Sequence, residues 1–357
     1  MNVTLRQIAT ALNLSPQSVS AGLNGGSGST KVSKETTERV LAYANKVNYR
    51  PSLAGKAMRS QSLRMMGVLV ESDFGARRHP PLVEMGAIFG LSTYLQERDW
   101  NLNVIEDKGD RDHPPPRYLR EKALDGAVIC SHSPSRDQIL RENLQKCGIP
   151  GIYLNAPGEY NAVTLDDCYG AELATTHLLQ SGHRSILFLG METVHHSFKD
   201  RLSGYSATME SAGLLARTHS LKTSTVQKLR YDERLASFKR LAGEFVARDF
   251  PKLKPSAIFC YDDNLAMLLL QAFQASGVSV PHDVSLVGFN DQPFVDILHP
   301  ALTTVRADFH EMGVLAGEML LALIAKPEIR IPSKLLKPTL VVRDSSRCLP
   351  VKKSPLA

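Results

Sequence analysis

The sequence predicts an α/β protein, with a small all-helical unit at the N-terminus followed by two lobes built on parallel sheets. Three observations carry this. The first 64 residues hold short amphipathic stretches of helical period and the whole of the net positive charge. From Met65 the pattern changes to short β-rich apolar runs that alternate with helical ones, the rhythm of parallel strands covered by helices. The alternation comes in two series, one for each lobe.

Leu5, Ile8, Ala9 and Leu12 recur at helical spacing, "NLSP" interrupts, and Val19 and Leu23 resume four residues apart. Two short helices therefore meet at a turn. Thr4 with Gln7 three residues on reads as a capping box, and Ser15 before Pro16 as an N-cap with proline at the first helical position. After the Gly/Ser loop "GGSGSTK", Ser33 caps a third amphipathic helix with Val40, Leu41, Ala44 and Val47 inward. Isolated helices below about 12–15 residues are marginal in water, so the three must share one core, which ends at Tyr49. Pro51 then breaks the chain, and "SLAGKAMRS" is a weak helix in which Gly55 costs about 1 kcal/mol relative to alanine.

The first lobe's series reads "MMGVLVES", "NLNVIED", "GAVICS" and "GIYLN" as strands, with helices around 82–98, 116–123 and 135–147. The second runs "AVTLDD", a helix at 169–181, "SILFLG", helices at 198–212 and 232–248, "AIFCYDD", a helix at 264–276 and "VSLVGFND". "KGDRDHPPPR", residues 108–117 within the first series, reads as a surface connection.

Charge and cysteine content narrow the function classes. The 357 residues are 43% hydrophobic and 22% charged with a net charge of +6, values of a globular protein with room for several cores. Residues 1–64 hold nine basic side chains against Glu35 and Glu38, a net of +7 that leaves −1 for the remaining 293. A basic module on a neutral body is the footprint of polyanion binding. Cys130, Cys147, Cys168, Cys260 and Cys348 are odd in number and far apart, so neither a disulfide framework nor a zinc site is suggested. No signal peptide is evident and no apolar run approaches about 18 residues, so a reducing cytoplasm is expected.

Taken in order, "TLRQIATALNLSPQSVS", "VSKETTERVLAYANKVNYRP", "DDCYGAELATTHLLQSGHRSILFLG", "RLSGY", "DDNLAMLLLQAFQASGVSVPHDVSLVGFND" and "HPALTTVR" resemble the lactose-repressor/galactose-repressor (LacI/GalR) family of bacterial transcription regulators, from about Val3 to Asp344. The resemblance implies a helix-turn-helix DNA-binding headpiece (1–50), a hinge helix or linker (51–62) and a two-lobed effector domain like a type I periplasmic binding protein. Residues 63–161 with 292–322 would form its N-terminal subdomain, 162–291 with 323–345 its C-terminal subdomain, and 346–357 a tail. It further implies a cytoplasmic homodimeric repressor, associated with the nucleoid when bound to a pseudo-palindromic operator in double-stranded DNA. A small-molecule effector, a carbohydrate or derivative, would control it, with no membrane partner, cofactor or metal. The tail lacks heptads, which favours a dimer over a coiled-coil tetramer.

In a helix-turn-helix the second helix enters the major groove with its first residues at base edges, which brings Ser15, Pro16, Gln17, Ser18 and Ala21 forward. The family's motif places base contacts at Pro16, Gln17 and Ala21. Gln17 can pair bidentately with adenine; the alternative is a solvated helix position. Ala21 stands where the family usually has arginine and offers a thymine methyl only an apolar contact, so the operator should depart from the family consensus. Thr4, Ser15, Ser18, Asn24 and Lys31 are candidates for backbone contacts that fix register, and Tyr49 and Arg59 join them. In the resemblance residues 52–60 fold on binding and Met58 is the minor-groove wedge; a flexible basic linker is the alternative.

Ligands of two-lobed α/β proteins bind at the C-terminal ends of strands. Ser72, Asp73 and Phe74 follow the first strand, Arg201 lies in "KDRLSGY", Asp262 and Asp263 close "AIFCYDD", and Phe289 and Asp291 close "VSLVGFND". Arginine with a converging carboxylate suits vicinal hydroxyls. The motif match singles out Arg201 and Asp263 as effector contacts, with an interlobe salt bridge or helix capping as the alternative. Arg77, Arg78 and His79 form a basic loop, either a solvated turn or a lure for an anionic effector. Phe74 and Phe289 are the aromatic candidates, and Trp100 reads as core. An exported sugar receptor would need a signal peptide and no basic headpiece. An enzyme would need a catalytic constellation: His195 and His196 with scattered aspartates match no catalytic motif and read as a loop.

Overall fold

The structure, a computed structural model, describes residues 3–23, 31–50, 62–71, 82–107, 116–130, 134–191, 195–222 and 231–350. The chain divides into two compact units, Met1–Leu63 and Arg64–Ala357.

The N-terminal unit consists of α1 (Leu5–Leu12), α2 (Pro16–Leu23) and α3 (Lys34–Lys46). The capping box forms as read: the Thr4 hydroxyl accepts from the Gln7 amide, and the Gln7 side chain accepts from the Thr4 amide. Asn13 closes α1 in the left-handed region, φ 53°, a conformation Asn tolerates through its short polar side chain. Ser15 Oγ accepts from Ser18 N at 3.0 Å and Ser33 caps α3. Ile8, Ala9, Val19, Val40 and Ala44 are buried together, with Leu5, Leu12, Leu23, Tyr43 and Tyr49 packed around them. Three helices, each too short to persist alone, are held by this shared core.

In the larger unit β1 (Met65–Glu71), α4 (Leu82–Gln96), β2 (Asn101–Asp107), α5 (Arg117–Arg120), β3 (Gly126–Cys130), α6 (Pro134–Cys147), β4 (Gly151–Leu154) and β5 (Ala162–Leu165) come first. There follow α7 (Asp167–Gln180), β6 (Ile186–Met191), α8 (His196–Ser211), β7 (Arg217–Leu221), α9 (Tyr231–Glu244) with a π-turn, α10 (Phe250–Leu253), β8 (Ala257–Cys260) and α11 (Asp263–Ala275). The chain ends with β9 (Ser285–Asn290), β10 (Thr303–Arg306), α12 (Phe309–Ala325), β11 (Lys334–Leu336) and β12 (Thr339–Val341).

The strands form two sheets, ordered β11-β5-β4-β3-β1-β2 and β12-β10-β9-β8-β6-β7. Every pair is parallel except β10 with β12. The two orders correspond strand for strand, and in each the direction of winding reverses beside the first strand, between β1 and β3 and between β6 and β8. Such a reversal opens a crevice at the strand C-termini, where ligands of α/β folds bind. The central strands are buried on both faces, as parallel sheets require; β9 and β8 are buried along their length.

The chain crosses between lobes later than the subdomain boundaries read from sequence. β5 pairs with β4 in the first sheet, so the first crossing follows Leu165 rather than 161. β10 pairs with β9 in the second sheet, so the return follows Arg306 rather than 291. β11 pairs with β5 in the first sheet, placing the last crossing after Leu336 rather than 322. Alternation identifies strands and helices; it does not say which sheet supplies a strand's partner. β7, β10, β11, β12 and α12 had no assignment from sequence. α12 packs on α4 through small residues: a Cβ on Gly90 would meet the His310 carbonyl, and one on Gly313 the Ala87 carbonyl. Among the described residues no helix is long and apolar enough to cross a membrane.

Candidate functional site

Two surfaces carry the expected functional residues. On the headpiece, Pro16 and Gln17 are exposed at the start of α2, with Ser15 and Thr4 exposed beside their caps and Lys31 exposed ahead of α3. Ser18 is half-buried and shares a 2.9 Å hydrogen bond with Ser15. Ala21 departs from the expectation: it is 6% exposed. Its methyl is too short to rise above its neighbours on α2, so in this conformation it has almost no surface to offer a thymine. Tyr49 packs against the headpiece core. Asn24, Met58 and Arg59 lie outside the described residues.

In the larger unit the residues just after β5 and β8 and the end of β9 converge on Arg201, which α8 carries one and a half turns from its start. Arg201 is 4% exposed. Its Nε donates to Asp167 Oδ1 at 2.7 Å, Nη1 to the Tyr261 carbonyl at 2.6 Å and Nη2 to Asn290 Oδ1 at 3.3 Å. Its guanidinium lies 3.6 Å from the Phe289 ring centroid, a cation–π contact. Burial is the largest single influence and works against its charge, but Asp167, Tyr261 and Asp262 together outweigh it and hold the guanidinium above its usual value. Breaking such a buried pair costs about 3–5 kcal/mol, because one charge is left uncompensated.

The carboxylate that meets Arg201 is thus Asp167, not Asp263. Asp263 is fully buried and points into the second lobe, where Oδ1 accepts from Thr304 Oγ1 at 2.6 Å and Oδ2 from Gln292 N at 2.8 Å. Burial pushes its pKa up to about 7. Its role is to pin the start of α11 to β10 and to the turn after β9. Asp262 caps α11 through the Leu265 amide at 2.8 Å. Phe289 is fully buried between Arg201 and Phe259 and leaves no face for a ligand. Asp291 is held by Arg306 at 2.6 Å and Arg343 at 2.8 Å, which ties the end of β9 to β10 and to the segment after β12. Ser72, Asp73 and Phe74, with Arg77, Arg78 and His79, lie outside the described residues.

Several cleft residues went unread in the sequence. Asn290 precedes the expected Asp291 and adopts φ 110°, a strained backbone for a side chain that reaches Arg201. Tyr261 shares a 2.7 Å hydrogen bond with Ser197, which in turn contacts His195 Nδ1 at 2.6 Å. The two histidines, expected in a loop, open α8: His195 is the N-cap and His196 the first residue. His196 reaches the other lobe, its Nε2 lying 2.6 Å from the carbonyl oxygen of Asn155, just after β4. Asp167 follows a strand end, the same cue that pointed to Asp263, and that cue reports proximity to the cleft without saying which carboxylate turns toward it. Beside Asn290 a cavity of about 300 Å³ is lined by Gly86, Gln292, Pro293, Arg306, Phe309 and His310.

Residues 175–346 match the periplasmic binding protein-like domain family. The arabinose metabolism transcriptional repressor of Geobacillus stearothermophilus is 34% identical over 271 residues, 72% of this chain and 71% of that protein. The HTH-type transcriptional regulator RegA of Clostridium saccharobutylicum is 27% identical across 97% of this chain and all of its own length. This chain belongs to the LacI/GalR family. The architecture agrees: a lac repressor structure, bound to ONPG in its repressed state, superposes with a TM-score of 0.76 at 21% identity, covering 97% of this chain and 100% of that one. The protein is therefore a DNA-binding transcriptional regulator and not an enzyme. In this LacI/GalR regulator Arg201, Asp167, Tyr261 and Asn290 form the polar floor of the cleft.

Proposed function

We propose that the protein is a cytoplasmic, homodimeric repressor that reads a pseudo-palindromic operator with α2 and releases or tightens it when a small polyhydroxylated ligand enters the cleft. The observation that carries the reading is the pairing of an exposed Pro16–Gln17 face on a basic headpiece with a cleft floored by a buried arginine and carboxylate. Gln17 reads a base edge; Thr4, Ser15, Ser18 and Lys31 fix the backbone register, with Asn24, Met58 and Arg59 assigned to DNA on the family motif alone. The buried methyl of Ala21 contributes no arginine-type readout, so half-site specificity rests on fewer direct contacts.

For the effector, the adjoining cavity of about 300 Å³ sits at the small end of ligand pockets, which run from about 300 to 1,000 Å³, and accommodates a monosaccharide-sized molecule. Relatives support the class: the Geobacillus protein is named for arabinose metabolism, and a similar repressor of Haemophilus influenzae for the ribose operon. Arg201, Asn290 and Tyr261 bring a fork donor, an amide and a phenol together, groups that suit hydroxyls. Ser72, Asp73 and Phe74 are assigned to the ligand on their position after the first strand.

The test is selection of operators from random duplex DNA, followed by a salt series on the best sequence and a screen of pentoses, hexoses and sugar acids for altered affinity. An inverted repeat with a steep salt slope supports the reading. Binding indifferent to sequence, with no sugar changing it, refutes it.

A further inference from the structure

Beside Arg201 the cleft wall gathers three side chains of ligand type. One ligand atom each from Asp167, His196 and Asp200 lies within 4.8 Å of the others. The protons of His196 follow from its partners. Nε2 is 2.6 Å from the Asn155 carbonyl, which can only accept, so Nε2 carries hydrogen. Nδ1 is 2.9 Å from Asp200 Oδ2. With its hydrogen on Nε2, a neutral ring turns the Nδ1 lone pair toward a carboxylate oxygen, and two acceptors face each other at hydrogen-bond distance. A positive centre makes that contact attractive, and two kinds fit: a proton on Nδ1, or a metal ion that both atoms ligate.

Asp167 distinguishes them. Its Oδ1 is taken by Arg201, while Oδ2 is buried without a hydrogen-bond partner on a side chain that is 1% exposed. A proton on His196 satisfies Asp200 and leaves that oxygen bare; a cation shared by the three side chains satisfies all of them. The formal charge agrees. Asp167 and Asp200, with Asp262 acting on the same guanidinium, stand against one Arg201, a balance that a divalent cation neutralises. The other side of the imidazole agrees as well, since a metal-bound imidazole characteristically donates its other N–H to a carbonyl or carboxylate, the relation His196 has with Asn155.

We propose that Asp167, His196 and Asp200 form a binding site for a divalent transition-metal ion, with the Asn155 carbonyl of the opposite lobe orienting the imidazole. One imidazole and two carboxylates suit zinc, cobalt, nickel or manganese rather than calcium, which takes oxygen ligands, or copper(I), which takes sulfur. The ligands belong to the second lobe and Asn155 to the first, so ion affinity is linked to the arrangement of the lobes. The site shares Asp167 with the cleft floor, but its test needs neither operator nor sugar.

The probe is cobalt(II), titrated into chelator-stripped full-length protein and followed by visible absorption, with zinc(II) as competitor. The expected result is a ligand-field band that saturates at one equivalent, is displaced by zinc, and is lost in both Asp200→Asn and His196→Gln. Asp200 is half exposed, so D200N removes a ligand without opening the core; circular dichroism checks that both variants are folded. A band that never saturates, or one unchanged in both folded variants, overturns the site and leaves a proton as the link between His196 and Asp200.

Discussion

Asp263 lends itself to a test in which charge and burial pull the stability in a predictable direction. Its pKa rises from 3.8 to about 7, with burial the leading cause and the Thr304 and Gln292 hydrogen bonds opposing it. The folded protein therefore holds a proton on Asp263 between about pH 4 and pH 7, where the unfolded chain has released it. Stability from this group is complete in acid and falls as pH rises through the folded value. At about 1.36 kcal/mol per unit the full loss is about 4 kcal/mol, of which more than half falls between pH 5 and pH 8. Half-buried His177 and buried His183 oppose it: desolvation lowers both, so their contribution is lost as pH falls. The wild-type curve mixes the two slopes, and the variant Asp263→Asn separates them. An asparagine amide can donate to Thr304 Oγ1 while its carbonyl accepts from Gln292 N, reproducing the neutral acid. Denaturant unfolding at about pH 5 and pH 8 is expected to show the difference between variant and wild type moving by about 2–3 kcal/mol in the variant's favour. A constant gap, or one that moves the other way, refutes the argument and means that the two donors and the N-terminus of α11 keep Asp263 ionised throughout.

Three further outcomes are expected. Gln17→Ala should cost about 1–3 kcal/mol of affinity for the selected operator and relax one base position without changing the salt slope, read by DNA-binding titrations at several salt concentrations. Gly313→Ala should lower the thermal midpoint, because the new Cβ overlaps the Ala87 carbonyl oxygen and comes within 2.7 Å of Leu91 N; backbone cannot swing aside as a side chain does, and overpacking of this kind costs about 1–3 kcal/mol or more. Tyr205→Phe should cost about 1–3 kcal/mol in chemical unfolding, since partly buried groups lose their partner: the hydroxyl donates toward the Ile186 and Arg217 carbonyls and accepts from Arg217 N, each at 2.9 Å.

The headpiece was legible because its instructions are local. Thr4 with Gln7, Ser15 with Ser18 and Ser33 with Thr36 act across three residues, and the apolar period names the core side chains directly. The rhythm of the central strands was legible for a related reason: four to seven apolar residues between turns have few other ways to be buried. α12 was not, because it carries small and apolar residues around most of its circumference, "FHEMGVLAGEMLLALIA". A helix sandwiched between α4 and the first sheet shows no single apolar stripe. β11 and β12 are three residues each and exist only because a sheet edge is there to pair with.

By itself, then, the sequence determined the class of the long elements other than α12, the charge asymmetry between headpiece and body, and the strand ends near which a ligand would sit. The tertiary structure decided which side chains meet at those ends. Arg201 could have paired with either of two aspartates at strand–helix junctions; the packing of α7 against α8 brings Asp167 to it and turns Asp263 toward Thr304. Phe289 became wall rather than ligand platform, and Asp291 became a tie between strands, for the same reason. A residue's position along the chain fixes how near it lies to the cleft, whereas the direction of its side chain is set by neighbours tens of residues away, which only the folded chain brings within reach.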